Sequence, residues 1–308
     1  MRSGVVALGK PATLSVGRAG LPGWSKCEVR STFDLRKNRT SAVIGTRFMA
    51  HCAQSAYVQA RLQARHGERP TDGDWLQLEG ARTVDAFLER TGAMGLVRFT
   101  ERIGDSRDTH VVELRLREAR RAYVAEVADW MPPSWRRATL WAGYLPELPA
   151  ISHLIAGKPV PNWMRADPLL ALLADATQAD RSDLLADIGF APLGLVDREP
   201  VRIAEIWIAQ WRALWPTMTR NERDHLQRLL DFSLRHVRAA RASAKNIVEP
   251  PSSRQQLSIA MIRLFRAARA TPASAFAHLA LVALDIERLR GGLVRRLVLQ
   301  GNGASEAA

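Results

Sequence analysis

The chain has little of what enzymes and metalloproteins are built from. Two cysteines in 308 residues, Cys27 and Cys52, supply neither a disulfide framework nor a thiolate cluster, and they suit a reducing compartment. The seven histidines are scattered from His51 to His278, and no His-Glu-x-x-His or Cys-x-x-Cys occurs, so no metal site is expected. Gly4, Gly9 and Gly17 do not form a phosphate-cradling loop, and no serine sits in a nucleophile elbow. Asp183 with Asp187, and Glu113 with Arg117, have the spacing of helix-surface charges rather than of an acid–base pair. Long apolar runs are missing too. The best stretch, Ala275 to Ile286, is too short to cross a bilayer and contains His278 and Asp285. Strict apolar–polar alternation is absent and β-branched runs are short, so almost no strand is expected. These absences point away from catalysis, and no cofactor or small-molecule substrate is expected.

What is present is a globular balance with a basic excess. Hydrophobic residues make up 47% and charged residues 24%, enough to bury a core, and the net charge is +13. Residues 1–40 hold eight Lys/Arg against Glu28 and Asp34, nearly half of that excess, with no usable period. That stretch reads as a basic, disordered arm or as a mis-called extension of a chain starting at Met49. An Arg-rich start also matches a transit peptide superficially, but its Gly and Pro content argues against an amphipathic helix there. A basic surface suits nucleic acid, anionic lipid or acidic protein; abundant Ala, Arg and Leu also fit GC-rich codon usage, which needs no partner.

From Ser41 onward the periodicity is helical. The pattern predicts helices over 41–66, 75–79 (capped by Asp72 or Asp74), 84–90 (capped by Thr83) and 108–130, the last ended by Pro132-Pro133. Between Ser134 and Pro168 the prolines allow only short helices, and Trp135, Trp141 and Trp163 fill a joint between units. Trp135 beside Arg136 and Arg137 is also a stacking candidate for nucleotides. Further helices are expected from Asp167 or Pro168 to Ala174, from Asp180 or Ser182 to Ile188, and over 199–215, followed by one that a Thr219/Glu222 capping box opens and that ends near Ser243. Residues 192–200 and 247–253 read as connectors. Trp207, Trp211 and Trp215, four apart, make a core stripe or a subunit contact. A helix over 254–268 precedes the last one, Ala273 to Leu299, with Pro272 before it and Gly301 after it. There Leu279, Val282, Ala283, Ile286, Leu289, Leu293 and Leu297 form one broad stripe. Arg290 lands near its middle, with Glu287 as the nearest partner, while Arg288, Arg295 and Arg296 point to solvent.

Two stretches resemble a known family. Asp285-Ile286-Glu287-Arg288-Leu289-Arg290 resembles the closing helix of the C subunit of archaeal and bacterial A/V-type rotary ATPases, the family of the eukaryotic d subunit. Asp285, Ile286, Leu289 and Arg290 fit its pattern, and Val282-Ala283 replaces the Lys-Glu pair that precedes it in the family. Tyr57-Val58-Gln59-Ala60-Arg61, continuing through Ala64 and Arg65, resembles the family's opening motif. On a helix Tyr57, Arg61 and Arg65 share one face, so the ring can cover an arginine stem, and Ala60 and Ala64 would let another helix approach closely. Thr83 to Gly92 is similar to the family's small repeated unit.

The resemblance implies an all-α, funnel-like protein over residues 41–300, with three pseudo-repeated units near 41–130, 131–216 and 217–300 and a disordered tail at 301–308. It implies a non-catalytic subunit, peripheral on the cytoplasmic face of a membrane, that couples the membrane ring to the central stalk in ion transport. Its partners would be other subunits of that ATPase, with no nucleic acid. The alternative readings are a basic helical nucleic-acid-binding protein and a helical adaptor; no helix-turn-helix with a short Gly turn is visible.

Overall fold

Short polar side chains cap the starts of several helices. The computed structural model describes residues 39–104, 106–190, 200–244 and 252–306, and among these every regular element is a helix, so the fold is all-α. Helix α1 (Arg39–Gly67) is followed by α2 (Asp72–Glu79). Thr71, rather than either aspartate, caps α2: its hydroxyl accepts the Asp74 N–H at 3.2 Å, and the Asp74 carboxylate accepts the Thr71 N–H at 2.7 Å. Thr83 caps α3 (Val84–Gly92); the short α4 (Val97–Thr100) leads to Asp108, which caps α5 (Thr109–Trp130). Pro132-Pro133 both ends α5 and starts α6 (Pro133–Ala142), because a proline at the first helical position gives up only an N–H that would be unbonded anyway.

The proline-rich stretch is broken as its composition demands, into a 3-10 turn (Leu145–Glu147), α7 (Leu148–Ile155) and α8 (Asn162–Ala166). Asp167 accepts the Leu169 N–H at 2.9 Å and holds a turn, so α9 (Ala171–Asp175) starts later than its acid suggests. Next come α10 (Gln178–Leu185), where Thr177 accepts the Asp180 N–H, and a π-helical turn (Ala186–Phe190). Gly189 sits there at φ 97, with the Trp141 ring where a side chain would begin. Then follow α11 (Pro200–Ala213), α12 (Arg220–Ala244), α13 (Ser252–Ala267) and α14 (Pro272–Glu306). The Thr219/Glu222 box forms, with Thr219 N–H to the carboxylate at 2.8 Å. The expected stop at Gly301 is not seen: α14 continues through 301–306, and an interior glycine costs only about 1 kcal/mol. Residues 1–38 of the arm, including Cys27, the connector over 192–199 and residues 245–251 lie outside the described residues, while Arg39 and Thr40 begin α1.

By its internal contacts the chain separates into residues 1–45 and 46–308, with no division near 130 or 216. Within the second unit α14 is the hub, packed by α13, α5, α12, α3 and α6. α13 and α14 form a hairpin through Ala270, held at φ 58 although it is not glycine. That conformation costs about 1–2 kcal/mol, and the Ala270 N–H is fixed by the Gln59 amide oxygen at 2.9 Å. Of the expected tryptophan stripe, Trp207 and Trp211 are core on α11, while Trp215 lies just past the helix and is half-buried. Trp207 stacks on Trp211 at 5.6 Å, and Trp211 meets Phe276 of α14 edge-on at 4.8 Å. Buried indoles need acceptors, and these find them across the α6–α11 contact: Trp207 Nε1 donates to the Trp141 carbonyl and Trp211 Nε1 to that of Ala138, both on α6, while Trp141 Nε1 donates to the Trp207 carbonyl of α11.

Candidate functional site

The opening stretch reaches the α13–α14 turn through Gln59, and Arg69, just past that stretch, reaches Asp285 of the closing one. Val58 and Leu62 turn the last half of α1 inward, and Gln59 beside them bonds the α13–α14 turn through Ala270 and the Ser274 hydroxyl, the latter at 3.2 Å. One turn on, the His66 ring lies flat on Phe265 at 4.3 Å and edge-on to His278 at 6.3 Å. Just beyond α1, Arg69 donates Nε and Nη2 to Asp285 at 2.6 and 3.0 Å, a two-pronged pair in which both side chains are largely buried. His278 is fully buried and shares a 2.6 Å hydrogen bond with the Tyr123 hydroxyl of α5.

Burial, with Arg69 adding to it, pushes the His278 imidazole down to about 3. Burial likewise raises the Tyr123 phenol above its ordinary value and lowers His66. An imidazole with so low an affinity for protons is a poor general base near neutrality, and this one is sealed from solvent. The Tyr–His pair therefore acts as a rigid strut between α5 and α14. The Nδ1 atoms of His66 and His278 are buried without a partner among the described residues.

A second cluster was not legible in the sequence. Arg117, Arg120 and Arg121 of α5 converge on Glu147, whose side chain is wholly buried. Arg120 reaches it at 2.7 Å and also donates to the Gly143 carbonyl at 2.9 Å. Arg121 continues to the buried Asp167 at 3.0 Å, and Arg117 pairs back to Glu113 at 2.7 Å and lies 4.4 Å above the Trp163 ring. These three guanidinium groups share the carboxylates of Glu113, Glu147 and Asp167, so the charges of the network are engaged with one another; it ties α5 to the proline-rich stretch. The Glu113–Arg117 pair is thus half-sunk in this network rather than on the surface. The signal was only the arginine density of 115–121.

The other predicted site residues divide. Tyr57 is 46% exposed, and the Arg61 guanidinium lies over it at 5.3 Å and over Trp130 at 5.6 Å, donating to the Tyr57 hydroxyl at 3.1 Å. Arg65 pairs with Glu68 and Glu126. Ala60 and Ala64 are exposed, so the close helix contact expected on them is absent: the buried face of α1 is that of Val58, Leu62 and His66. On α14, Asp285, Ile286 and Leu289 are buried. Arg290 is not on the buried stripe; it is half-exposed and reaches Glu113 at 3.4 Å rather than Glu287.

The buried arginine is Arg296, roughly 120° away on the wheel. Its guanidinium donates to the carbonyls of Leu78 and Glu79, which end α2, and of Ala81 just past it, and lies 4.2 Å over the Phe87 ring. The buried sector is displaced because α1, Arg69 and α5 cover the side of Ser274, His278 and Asp285, and α2 and α3 cover Arg296 and Gly292. Phe87 packs so close that a Cβ on Gly292 would meet it at 2.6 Å. Trp135 is buried against Phe276, and Arg136 pairs with Asp129, so neither is set to stack on a base.

No protein-family model, curated protein or solved structure matches the chain. Among the described residues, no helix is long and apolar enough to cross a membrane, and no group of three His, Cys, Asp or Glu side chains is placed to hold a metal ion.

Proposed function

We propose that the chain is a non-catalytic subunit of a V/A-type rotary ATPase, peripheral on the cytoplasmic face, which couples the membrane ring to the central stalk. One observation carries the reading. Asp285, the acid that opens the closing motif, is held in two-pronged fashion by Arg69, four residues past the end of the opening motif at Arg65. The helix that ends in the opening stretch and the helix that carries the closing one are thus tied together beside those stretches, which supports reading them as parts of one scaffold. The strongest polar groups of the interior, in the Arg69–Asp285 pair and in the α5 network, are engaged with one another. Such internal pairing favours a stiff body over a reactive cleft, and stiffness is what passing torque between partners demands.

The test is purification of the tagged full chain from its native membranes in mild detergent. Stoichiometric recovery of catalytic-head, stalk and ring subunits is the expected result. Recovery of the chain with none of them sinks the proposal, and a defined footprint on DNA in that case would put nucleic-acid binding in its place.

A further inference from the structure

The C-terminal half of α14 borders a hollow that the internal pairing does not close. Its volume is about 120 Å³; its floor is Trp75, Phe87, Gly291 and Gly292, and its rim is Glu79, Arg288 and Arg295. Cofactor and drug-sized ligands occupy roughly 300–1,000 Å³, so this space suits a single side chain from another molecule. The rim is basic. Arg288 lies over the Trp75 ring at 4.7 Å and directs Nε and Nη2 to Glu79 at 2.8 and 2.6 Å, which uses the one rim acid. Arg295 has no ion-pair partner among the described residues, and the buried Arg296 lies next to it in the chain.

The same side of α14 continues into exposed apolar surface. Val298 and Leu299, one turn beyond Arg295, are 51% and 65% exposed, and Leu76, next to Trp75, is 69% exposed. Arg288, Gly291, Arg295 and Leu299 recur at three- and four-residue steps along about 16 Å of helix. Gly291 faces open space, with nothing within 4 Å of where its Cβ would be, so a second backbone can come close there. No sheet edge lies beside the groove to pair an extended peptide, whereas a helix brings its own hydrogen bonds.

We propose that this groove docks an acidic amphipathic helix of a partner protein. It inserts one large apolar side chain over Gly291, between Trp75 and Phe87, and sets a carboxylate against Arg295. The charge of the rim selects an acidic occupant, and the combination of aromatic, arginine and glycine is that of a buried anchor with a charged flank. This inference does not depend on the rotary reading, since it concerns the surface and not the assembly.

The experiment uses the full chain labelled with ¹⁵N-glycine and two synthetic amphipathic helical peptides of equal apolar face, one carrying glutamates and the other lysines. The glutamate peptide is expected to move the Gly291 and Gly292 amide signals. Gly291→Leu fills the space without a clash and assigns its own signal by deletion; Arg295→Glu reverses the rim. Each should weaken binding about tenfold or more with an unchanged or higher melting temperature, and Arg295→Glu should gain the lysine peptide. Should Gly291→Leu fail to fold, Arg295→Glu decides alone. Equal response to both peptides, response only at other glycines, or no response overturns the proposal. So do shifts that depend on protein concentration without peptide, which would make a second copy the occupant.

Discussion

The first two turns of α14 and its last three are one continuous helix in two different environments. From Ala273 to Leu279 every residue is buried, on all sides. Between Glu287 and Gln300 only Leu289, Leu293, Arg296 and Leu297 are buried, while Arg288, Arg290, Gly291, Arg295, Val298 and Leu299 are exposed. The difference lies in side-chain size. Ala273, Ser274, Ala275 and Ala277 let neighbouring helices close in from every direction, which is how a helix comes to be surrounded. Farther along, bulky arginines keep the neighbours to one side, and the other is left for solvent or a partner. The first part is built for rigidity and the second for contact.

That contrast can be broken at its strongest point by Phe276→Ala. Phe276 packs on Trp135 and Trp211, and its removal is expected to destabilise the chain by about 3–5 kcal/mol, read by denaturant unfolding. A loss below about 1 kcal/mol would mean that this part of the helix is not core. Asp285→Ala, at the boundary of the two environments, strands the Arg69 guanidinium and should cost about 3 kcal/mol. Asp285→Asn, which keeps one acceptor, should lose less.

The buried imidazole adds a pH dependence. His278 takes up a proton near 3 in the folded state, well below its unfolded value of roughly 6.5. Its neutral form is therefore harmless above about pH 6.5, and stability drains at about 1.4 kcal/mol per pH unit as the pH falls from there towards 3. His66 shifts in the same direction, and Arg65, Arg69 and Arg98 also face the site, so the comparison is with His278→Gln. Between about pH 6 and pH 4 the variant should lose stability less steeply; parallel slopes would show that the imidazole is not sealed.

In the open part the effects shrink. Arg296→Ala, which frees two carbonyls of α2 and that of Ala81, should lower stability by about 2 kcal/mol. Arg290→Ala, half in water, should lower it by less than about 1 kcal/mol. Equal losses at these two positions in thermal unfolding would erase the distinction between them.

The helices were readable because their signals are local. Thr83, Asp108 and the Thr219/Glu222 box cap their own neighbours, and prolines break what they must break. The tryptophan stripe of α11 was readable for the same reason, since its spacing of four states a face whatever covers it. Arg290 and Arg296 were not. A helical wheel places residues relative to one another, but how far the buried sector extends depends on which other helices arrive. The α5 network escaped entirely, since Glu147 and Asp167 come to Arg117, Arg120 and Arg121 only when the chain folds back by twenty-six residues or more.

The order of amino acids alone thus determined that this chain is helical, where most helices begin, and which stripes are apolar. Each depends on hydrogen bonds and periodicities within a few residues. Only the tertiary structure decided which charges are sealed in pairs, which arginine is buried and which groove stays open. Those outcomes depend on long-range neighbours, and burial fixes the cost of a charge only once those neighbours are in place.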